Sequence, residues 1–134
     1  MNREIKFRGK SDWGKWHFGF YHKDKDGSYI LTETDVYYVL PHSIGQFTGL
    51  HDKNGVEIYE GDLVKFDYPE IFKHTYFGVI GVNKYNQWCI HMPHEDVEKY
   101  GIEKGEFHIC YAVKYGEVIG NIHDNPELLK TEKP

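Results

Sequence analysis

The sequence Glu57-Ile58-Tyr59-Glu60-Gly61-Asp62-Leu63-Val64-Lys65-Phe66-Asp67-Tyr68 predicts a turn followed by a β-strand. In its second half, Val64, Phe66 and Tyr68 alternate with the residues between them. A period of two places successive side chains on opposite faces of an extended chain, which is the signature of a strand. The stretch therefore predicts a fold built from β-strands.

The same period recurs along most of the chain. In residues 16–20, the aromatic side chains of Trp16, Phe18 and Phe20 fall on one face. In residues 107–115 every odd position is large and apolar, which predicts a long, half-buried strand. Two further strands are predicted at residues 76–84 and 87–92, joined at Tyr85-Asn86.

Helical signals are few and short. Residues 95–100 predict a short helix that ends before Gly101. Asn125-Pro126-Glu127 supplies a suitable N-cap and first turn for a second short helix that extends to Lys130. We therefore expect one or two short helices in a mostly β protein.

Turn chemistry suggests how the strands are grouped. Asp26-Gly27 and Asn54-Gly55 are dipeptides suited to tight hairpins, because both residue types tolerate positive φ. A division falls near residues 50–54. We predict an N-terminal antiparallel β region over residues 1–50, followed by a small SH3-like β-barrel with a short C-terminal helix over residues 51–134.

Composition limits the classes of function. The chain has 134 residues, and its 21 acidic and 16 basic residues give a net charge of −5, which disfavours nonspecific binding to phosphate. No run approaches the roughly 18 apolar residues of a membrane helix. The N-terminal residues lack the apolar segment of a secretory signal. We expect a cytoplasmic protein in which Cys89 and Cys110 are reduced thiols.

Three stretches of the sequence resemble the YopX family of bacterial and phage-borne proteins. The first is Ile5-Lys6-Phe7-Arg8-Gly9-Lys10, followed by Trp16-His17-Phe18-Gly19-Phe20. The second is Ile44-Gly45-Gln46-Phe47-Thr48-Gly49-Leu50-His51-Asp52-Lys53-Asn54-Gly55, continuing through Val64. The third is Val118-Ile119-Gly120-Asn121-Ile122-His123-Asp124-Asn125-Pro126-Glu127-Leu128-Leu129. They occur in the family's order and span nearly the whole chain.

The resemblance implies a mostly β protein that is typically encoded in phages and integrated prophages. It implies no reaction, no cofactor, and no catalytic or binding residues that could be carried over to this chain. His123 stands where lineages of this family usually carry Tyr.

Residues 22–33 contain part of a calcium-loop pattern. Asp24, Asp26, Gly27 and Glu33 fall at its third, fifth, sixth and twelfth places. The first place is held by His22, a poor ligand for a hard cation, and the flanks predict strands rather than helices. A hairpin with a solvated polar tip is favoured over a calcium site.

Histidine and cysteine residues suggest two further sites. His91 and His94, followed by two acidic residues, offer metal ligands, but the third and fourth ligands of a zinc site are missing. Cys89 lies two residues from His91, and Cys110 two residues from His108, so each pair would share a strand face. Inert cysteines and a charged loop are favoured over a nucleophile or a metal site.

Acidic residues crowd the segment between the two predicted regions. Paired carboxylates can divide acid and base roles, and Asp52 and Asp62 are the residues to which such chemistry could be assigned. The same residue types form turns by bonding nearby backbone N–H groups. A structural role is favoured.

Three classes of function are compatible with these patterns. One is an interaction module that binds itself or a protein partner through its abundant aromatic residues. Another is nucleic-acid binding, in which a basic strand and nearby aromatic rings contact the nucleic acid. The residues concerned are Lys6, Arg8, Lys10, Lys15, Trp13 and Tyr21. The third is an enzyme, for which no known catalytic motif is present.

The first class is our prediction. We expect a non-enzymatic protein that forms a homo-oligomer and requires no catalytic residue, cofactor or metal. Nucleic-acid binding is disfavoured by the net charge, and no contact with a membrane is expected. The residues predicted to mediate interaction are Arg8, Trp16, Gln46, Thr48, Asp52 and Asp62.

Overall fold

A computed structural model describes residues 4–68, 74–92 and 105–129. The described chain consists mainly of antiparallel strands with a few short helices, so the predicted mostly β class is confirmed. The chain divides into two compact units, Met1–Gly49 and Leu50–Pro134.

The first unit contains an antiparallel sheet in the order β4-β3-β2-β1-β5. Its strands are β1 (Phe7–Lys10), β2 (Trp16–Asp24), β3 (Gly27–Leu31), β4 (Val36–Val39) and β5 (Gly45–His51). A short 3₁₀ helix, Pro41–Ser43, joins β4 to β5, and the last two residues of β5 belong to the second unit. The predicted N-terminal antiparallel region is therefore present.

Strand β2 changes its pairing partner in the middle. It pairs with β1 up to Gly19 and with β3 from Phe20 onward. A Cβ atom at Gly19 would collide with the carbonyl oxygen of Leu31, so a residue without a side chain is needed for this close approach. The aromatic residues on either side, Phe18 and Phe20, are both exposed.

The hairpin between β2 and β3 ends in a tight turn. Asp24 Oδ1 accepts hydrogen bonds from the N–H groups of Asp26, at 2.8 Å, and Gly27, at 3.2 Å. The first of these bonds is the main reason that the pKa of Asp24 is lowered. Glu33 lies beyond the opposite end of β3, and this strand is about 13 Å long from its first residue to its last. The predicted hairpin is confirmed, and the carboxylates of the calcium-loop pattern are not gathered together.

The second unit contains an antiparallel sheet in the order β10-β9-β8-β7-β11. Strand β6 (Glu57–Tyr59) pairs with the end of β5 after the Asp52–Gly55 turn. The other strands are β7 (Asp62–Tyr68), β8 (His74–Val82), β9 (Trp88–His91), β10 (Glu106–His108) and β11 (Gly116–Asn121). The strands predicted at 76–84 and 87–92 correspond to β8 and β9, and the turn between them includes Asn86 at φ 63°.

The core of the second unit forms as the alternation in β7 predicts. Val64 and Phe66 point inward, and the Phe66 ring lies 5.7 Å from that of Tyr76 and 5.3 Å from that of Phe107. The other buried members of this cluster are Ile58, Ile80, Ile90, Met92, Ile109 and Ala112.

The prediction of a long strand at residues 107–115 is wrong. Strand β10 ends at His108, and the chain then forms a helix, α1 (Cys110–Tyr115). The apolar residues of this stretch fit a helical period as well as a strand period. The helix places Ile109 and Ala112, three positions apart, in the same buried cluster. Burial of this face outweighs the local strand preference.

Closure into the predicted SH3-like barrel is not found among the described strands. Strands β10 and β11 lie at opposite ends of the strand order. A continuous strand over residues 107–115 could have extended one edge of the sheet toward the other, but helix α1 replaces it. The helix predicted at residues 95–100 lies outside the described residues. The one predicted near the C-terminus is a 3₁₀ helix, Pro126–Leu129.

Asp52 connects the turn after β5 to strand β11. Its Oδ1 accepts hydrogen bonds from the N–H groups of Asn54, at 2.8 Å, and Val56, at 2.9 Å. Its Oδ2 accepts a third bond, at 2.8 Å, from the N–H of Val118. Burial raises the pKa of Asp52, but the three backbone donors and Lys53 outweigh it, so the pKa lies below its ordinary value.

Replacing Asp52 should therefore destabilise the protein. Asp52→Ala leaves three N–H groups without their acceptor, and we expect a loss of about 3 kcal/mol in the free energy of unfolding, measured with urea. Because the folded pKa is lowered, the stabilisation by the charged carboxylate is present above the unfolded pKa of about 4. It should disappear as the pH falls through the folded pKa.

Asp52→Asn is the matched control, because it keeps an acceptor oxygen but does not titrate. Its stability deficit relative to the original protein should shrink as the pH falls below about 4. A deficit that stays constant across this range would contradict the assigned role of the charge.

Gly116 provides a test of helix α1. A Cβ atom at this position would lie 2.8 Å from Ala112 Cα, a contact that exists only because residues 112–116 are folded back as a helix. We expect Gly116→Ala to reduce the free energy of unfolding by about 1–3 kcal/mol.

Glu117→Ala, at the adjacent position, is the control for Gly116→Ala. It removes only a surface ion pair with Lys65 at 3.9 Å and should change stability by less than about 0.5 kcal/mol. Equal stability of the two variants would argue for an extended chain at residues 110–115.

Candidate functional site

The structure brings two of the predicted interaction residues together. Arg8, buried on β1, and Trp16, at the start of β2, are in contact, with the guanidinium carbon 4.8 Å from the ring centroid. Lys10 Nζ lies 6.0 Å from the same ring. These are cation–π contacts within the first unit, so Arg8 and Trp16 contribute to the stability of the sheet.

Gln46 and Thr48 lie two residues apart on β5 and are half-buried. Between them Phe47 is buried, and Lys6 Nζ lies 5.1 Å from its ring. Because side chains alternate along a strand, the two polar residues share the face opposite Phe47. Their contact with a partner remains a prediction.

Asp52 and Asp62 are buried where chain turns are formed. Asp62 Oδ2 accepts a hydrogen bond of 2.7 Å from the N–H of Tyr59, across a turn in which Gly61 has φ 91°. Neither carboxylate lines the two cavities described below. The structure thus gives both residues the favoured role in turns, and their part in an interaction stays a prediction.

The basic residues considered for nucleic-acid binding are packed on aromatic rings. Besides Arg8 and Lys10 on Trp16, Lys15 Nζ lies 5.8 Å from the ring of Trp13. Bases stack on exposed aromatic faces. The faces of Trp16 and Trp13 that these cations cover are therefore not available for stacking unless the cations move.

An open groove lies on the first unit where β2 changes partner. It encloses about 860 Å³. It is lined by the apolar side chains of Ile5, Phe18, Phe20 and Leu31 and by the polar residues Glu4, Lys6, Thr32, Glu33 and Thr34. Lys6 Nζ lies 3.6 Å from a carboxylate oxygen of Glu4, so both signs of charge occur in the lining.

Phe18 and Phe20 are unusually exposed for phenylalanine. They retain 47% and 68% of their accessible surface, and their spacing of two places both on one face of β2. The alternation in residues 16–20 predicts one face for these two residues but does not assign them to an interaction. The sequence signal for an interaction surface was the run of alternating aromatic residues, because the first unit is too small to bury all of them.

A second cluster combines three chemically different side chains in the second unit. Cys89 and His91 lie on one face of β9, and Glu106 is opposite His91 on β10. The distance from Cys89 Sγ to His91 Nε2 is 3.3 Å, and from Cys89 Sγ to Glu106 Oε2 it is 3.9 Å. Within the described ranges, these three side chains form a group of cysteine, histidine and acidic residues whose ligand atoms lie close enough to one another to hold a metal ion.

The thiol of Cys89 is not activated as a nucleophile. Burial raises its pKa to about 11, and the adjacent carboxylate of Glu106 contributes to the shift. A nucleophilic cysteine requires the thiolate, which is favoured by a lowered pKa. At neutral pH the Cys89 thiol therefore remains protonated.

A cavity of about 490 Å³ lies beside this cluster. Both His91 and Glu106 line it, together with residues of the turn between β8 and β9: Val82, Asn83, Lys84, Tyr85 and Gln87. The cavity gives small solutes access to the exposed side of His91.

The sequence predicts only part of this cluster. Cys89 and His91 do share a strand face, as predicted, and His94 lies outside the described residues. The second predicted pair does not share a face, because His108 ends β10 and Cys110 begins helix α1. Glu106 was not assigned to the site, since its place opposite His91 depends on strand register.

No helix among the described residues is long and apolar enough to cross a membrane. In sequence, no curated protein matches the chain. The fold is similar to the crystal structure of protein EF1440 from Enterococcus faecalis, with a TM-score of 0.51 and 21% identity, covering 96% of this chain and 99% of that one. The model of the family described as YopX protein matches residues 1–130. The chain therefore belongs to the YopX family.

Proposed function

We propose that this protein is a non-enzymatic interaction module that self-associates through the groove on its first unit. The observation that carries this proposal is the exposure of Phe18 and Phe20 side by side on β2. The setting we propose is the cytoplasm of a bacterium that carries a phage or prophage, as the family resemblance implies.

Burial of these rings would supply a driving force for association. Covering a phenylalanine side chain stabilises a complex by about 2 kcal/mol, and exposed apolar patches with a polar rim are typical of interaction sites. In a two-fold dimer each contact occurs twice, so the contribution of Phe18 and Phe20 is doubled.

The charged lining of the groove favours a second copy of the chain as the occupant. It carries acidic side chains at Glu4 and Glu33 and a basic side chain at Lys6. A two-fold interface places the same surface on both partners, so a patch must complement itself in charge. A lining with both signs is compatible with this condition, whereas a lining of one sign would repel its copy.

Two observations support the absence of an enzymatic role. The raised pKa keeps the thiol of Cys89 protonated, and the buried carboxylates of Asp52 and Asp62 accept backbone hydrogen bonds in turns. These residues were the strongest candidates for nucleophilic or acid–base chemistry. In the chain without metal, none of the three is activated for that chemistry.

Self-association can be tested with Phe20→Ser. We expect light scattering to show an oligomer for the original chain and a shift toward monomer for the variant, because the most exposed wall of the groove is lost. Tyr85→Ser is the control, since Tyr85 is exposed to the same degree, 67% against 68%, but lies in the second unit. It should leave the mass unchanged.

A monomeric original chain, or an oligomer unaffected by Phe20→Ser, would contradict the proposal. The same measurement with a short DNA duplex in a salt series tests the alternative of nucleic-acid binding. We expect no uptake of DNA. A monomer that binds DNA at low salt and releases it at high salt would favour the alternative, because phosphate contacts weaken steeply as salt increases.

A further inference from the structure

We propose that Cys89 Sγ, His91 Nε2 and the Glu106 carboxylate bind a divalent transition metal ion of the Zn²⁺ type. This metal site is separate from the groove on the first unit and does not depend on self-association. The spacing of the three groups, the strands that hold them and the chemistry of the donor atoms support this assignment.

The donor atoms have nearly the separations of a tetrahedral zinc site. Zinc binds sulfur at about 2.3 Å and nitrogen or oxygen at about 2.0–2.2 Å, which places tetrahedral ligands about 3.3–3.6 Å apart. The observed Sγ–Nε2 and Sγ–Oε2 distances are 3.3 Å and 3.9 Å, and all three donor atoms lie within 4.8 Å of one another. Completing the geometry requires the Glu106 carboxylate to move closer to the other two donors.

Two adjacent strands hold the ligands in place. Cys89 and His91 project from one face of β9, and backbone pairing sets Glu106 opposite His91. Gly81 is the partner of Cys89 on β8, and a Cβ atom there would lie 2.8 Å from the His91 ring. The glycine therefore leaves room for the imidazole to lie over β8 and reach the thiol.

A second layer of hydrogen bonds orients the carboxylate. Asn83 Nδ2 lies 3.5 Å from Glu106 Oε1 and 3.1 Å from Gln87 Oε1. The Asn83 side chain is itself fixed, because its Oδ1 accepts bonds from the N–H groups of Tyr85 and Gln87. Partners of this kind position metal ligands and increase affinity.

The mixture of donors selects the class of ion. Sulfur, imidazole and carboxylate together suit zinc and its transition-metal neighbours, whereas calcium and magnesium prefer oxygen donors alone. The cavity lined by His91 and Glu106 lets water fill the fourth position. A site with three protein ligands and one exchangeable position matches a known pattern of zinc coordination.

Binding of the metal ion changes the protonation of its ligands. His91 Nε2 lies 3.0 Å from the carbonyl oxygen of Val82, which can only accept, so without metal this nitrogen carries the proton. On binding, the imidazole proton moves to Nδ1, the Cys89 thiol loses its proton to water, and Glu106 binds as the carboxylate. One proton is released for each ion bound.

Metal titration of the full chain tests the proposal. We expect one Co²⁺ per chain with the charge-transfer absorption of a thiolate ligand, and displacement of Co²⁺ by Zn²⁺. Cys89→Ser should abolish this absorption, while Cys110→Ser, which changes the other free cysteine, should retain it. Glu106→Gln keeps the shape of the side chain and should weaken binding more than about tenfold.

Several results would overturn the site. The chain has nine histidines, so stoichiometric binding alone is insufficient. Binding that survives both Cys89→Ser and Glu106→Gln would place the ion elsewhere, and absence of the thiolate absorption would exclude Cys89 as a ligand. If Cys89→Ser does not fold, Glu106→Gln and Gly81→Ala, which displaces the His91 ring, decide between these outcomes.

Discussion

The three hydrogen bonds accepted by Asp52 hold together parts of the second unit that are far apart in sequence. Two of them close the turn that leads into β6, and the third reaches the N–H of Val118 in β11. Strand β11 pairs with β7, the strand whose Val64 and Phe66 enter the core. One buried carboxylate therefore ties the turn at the start of this unit to strand β11, which pairs with a core strand.

Each unit holds one group of side chains that packing within the unit does not fully account for. On the first unit, the change of pairing at Gly19 leaves Phe18 and Phe20 facing an open groove. On the second, the pairing of β9 with β10 gathers a thiol, an imidazole and a carboxylate. The first arrangement suits contact with a protein and the second suits a metal ion.

Features of the fold that depend on local alternation could be predicted from sequence, and features that depend on register could not. Alternation at Val64 and Phe66 was informative because both side chains enter the core, whereas Lys65 and Asp67, which alternate with them, are exposed. The prediction for residues 107–115 was wrong because the odd-numbered apolar residues suggest a strand, whereas Ile109 and Ala112 share a buried face only when the chain is helical, and packing favoured that arrangement. Glu106 joins Cys89 from seventeen positions away, a contact set by pairing rather than by a motif.

The proposed self-association requires Phe18 and Phe20 to be covered by a second copy of the chain. Amide hydrogen exchange measured at low and high protein concentration tests it most directly, because it locates the covered surface without changing the sequence. We predict that exchange slows at high concentration for the residues around the groove, including Phe20 and Thr32, while the Tyr85 turn is unaffected. Equal exchange around the groove at both concentrations would contradict the account.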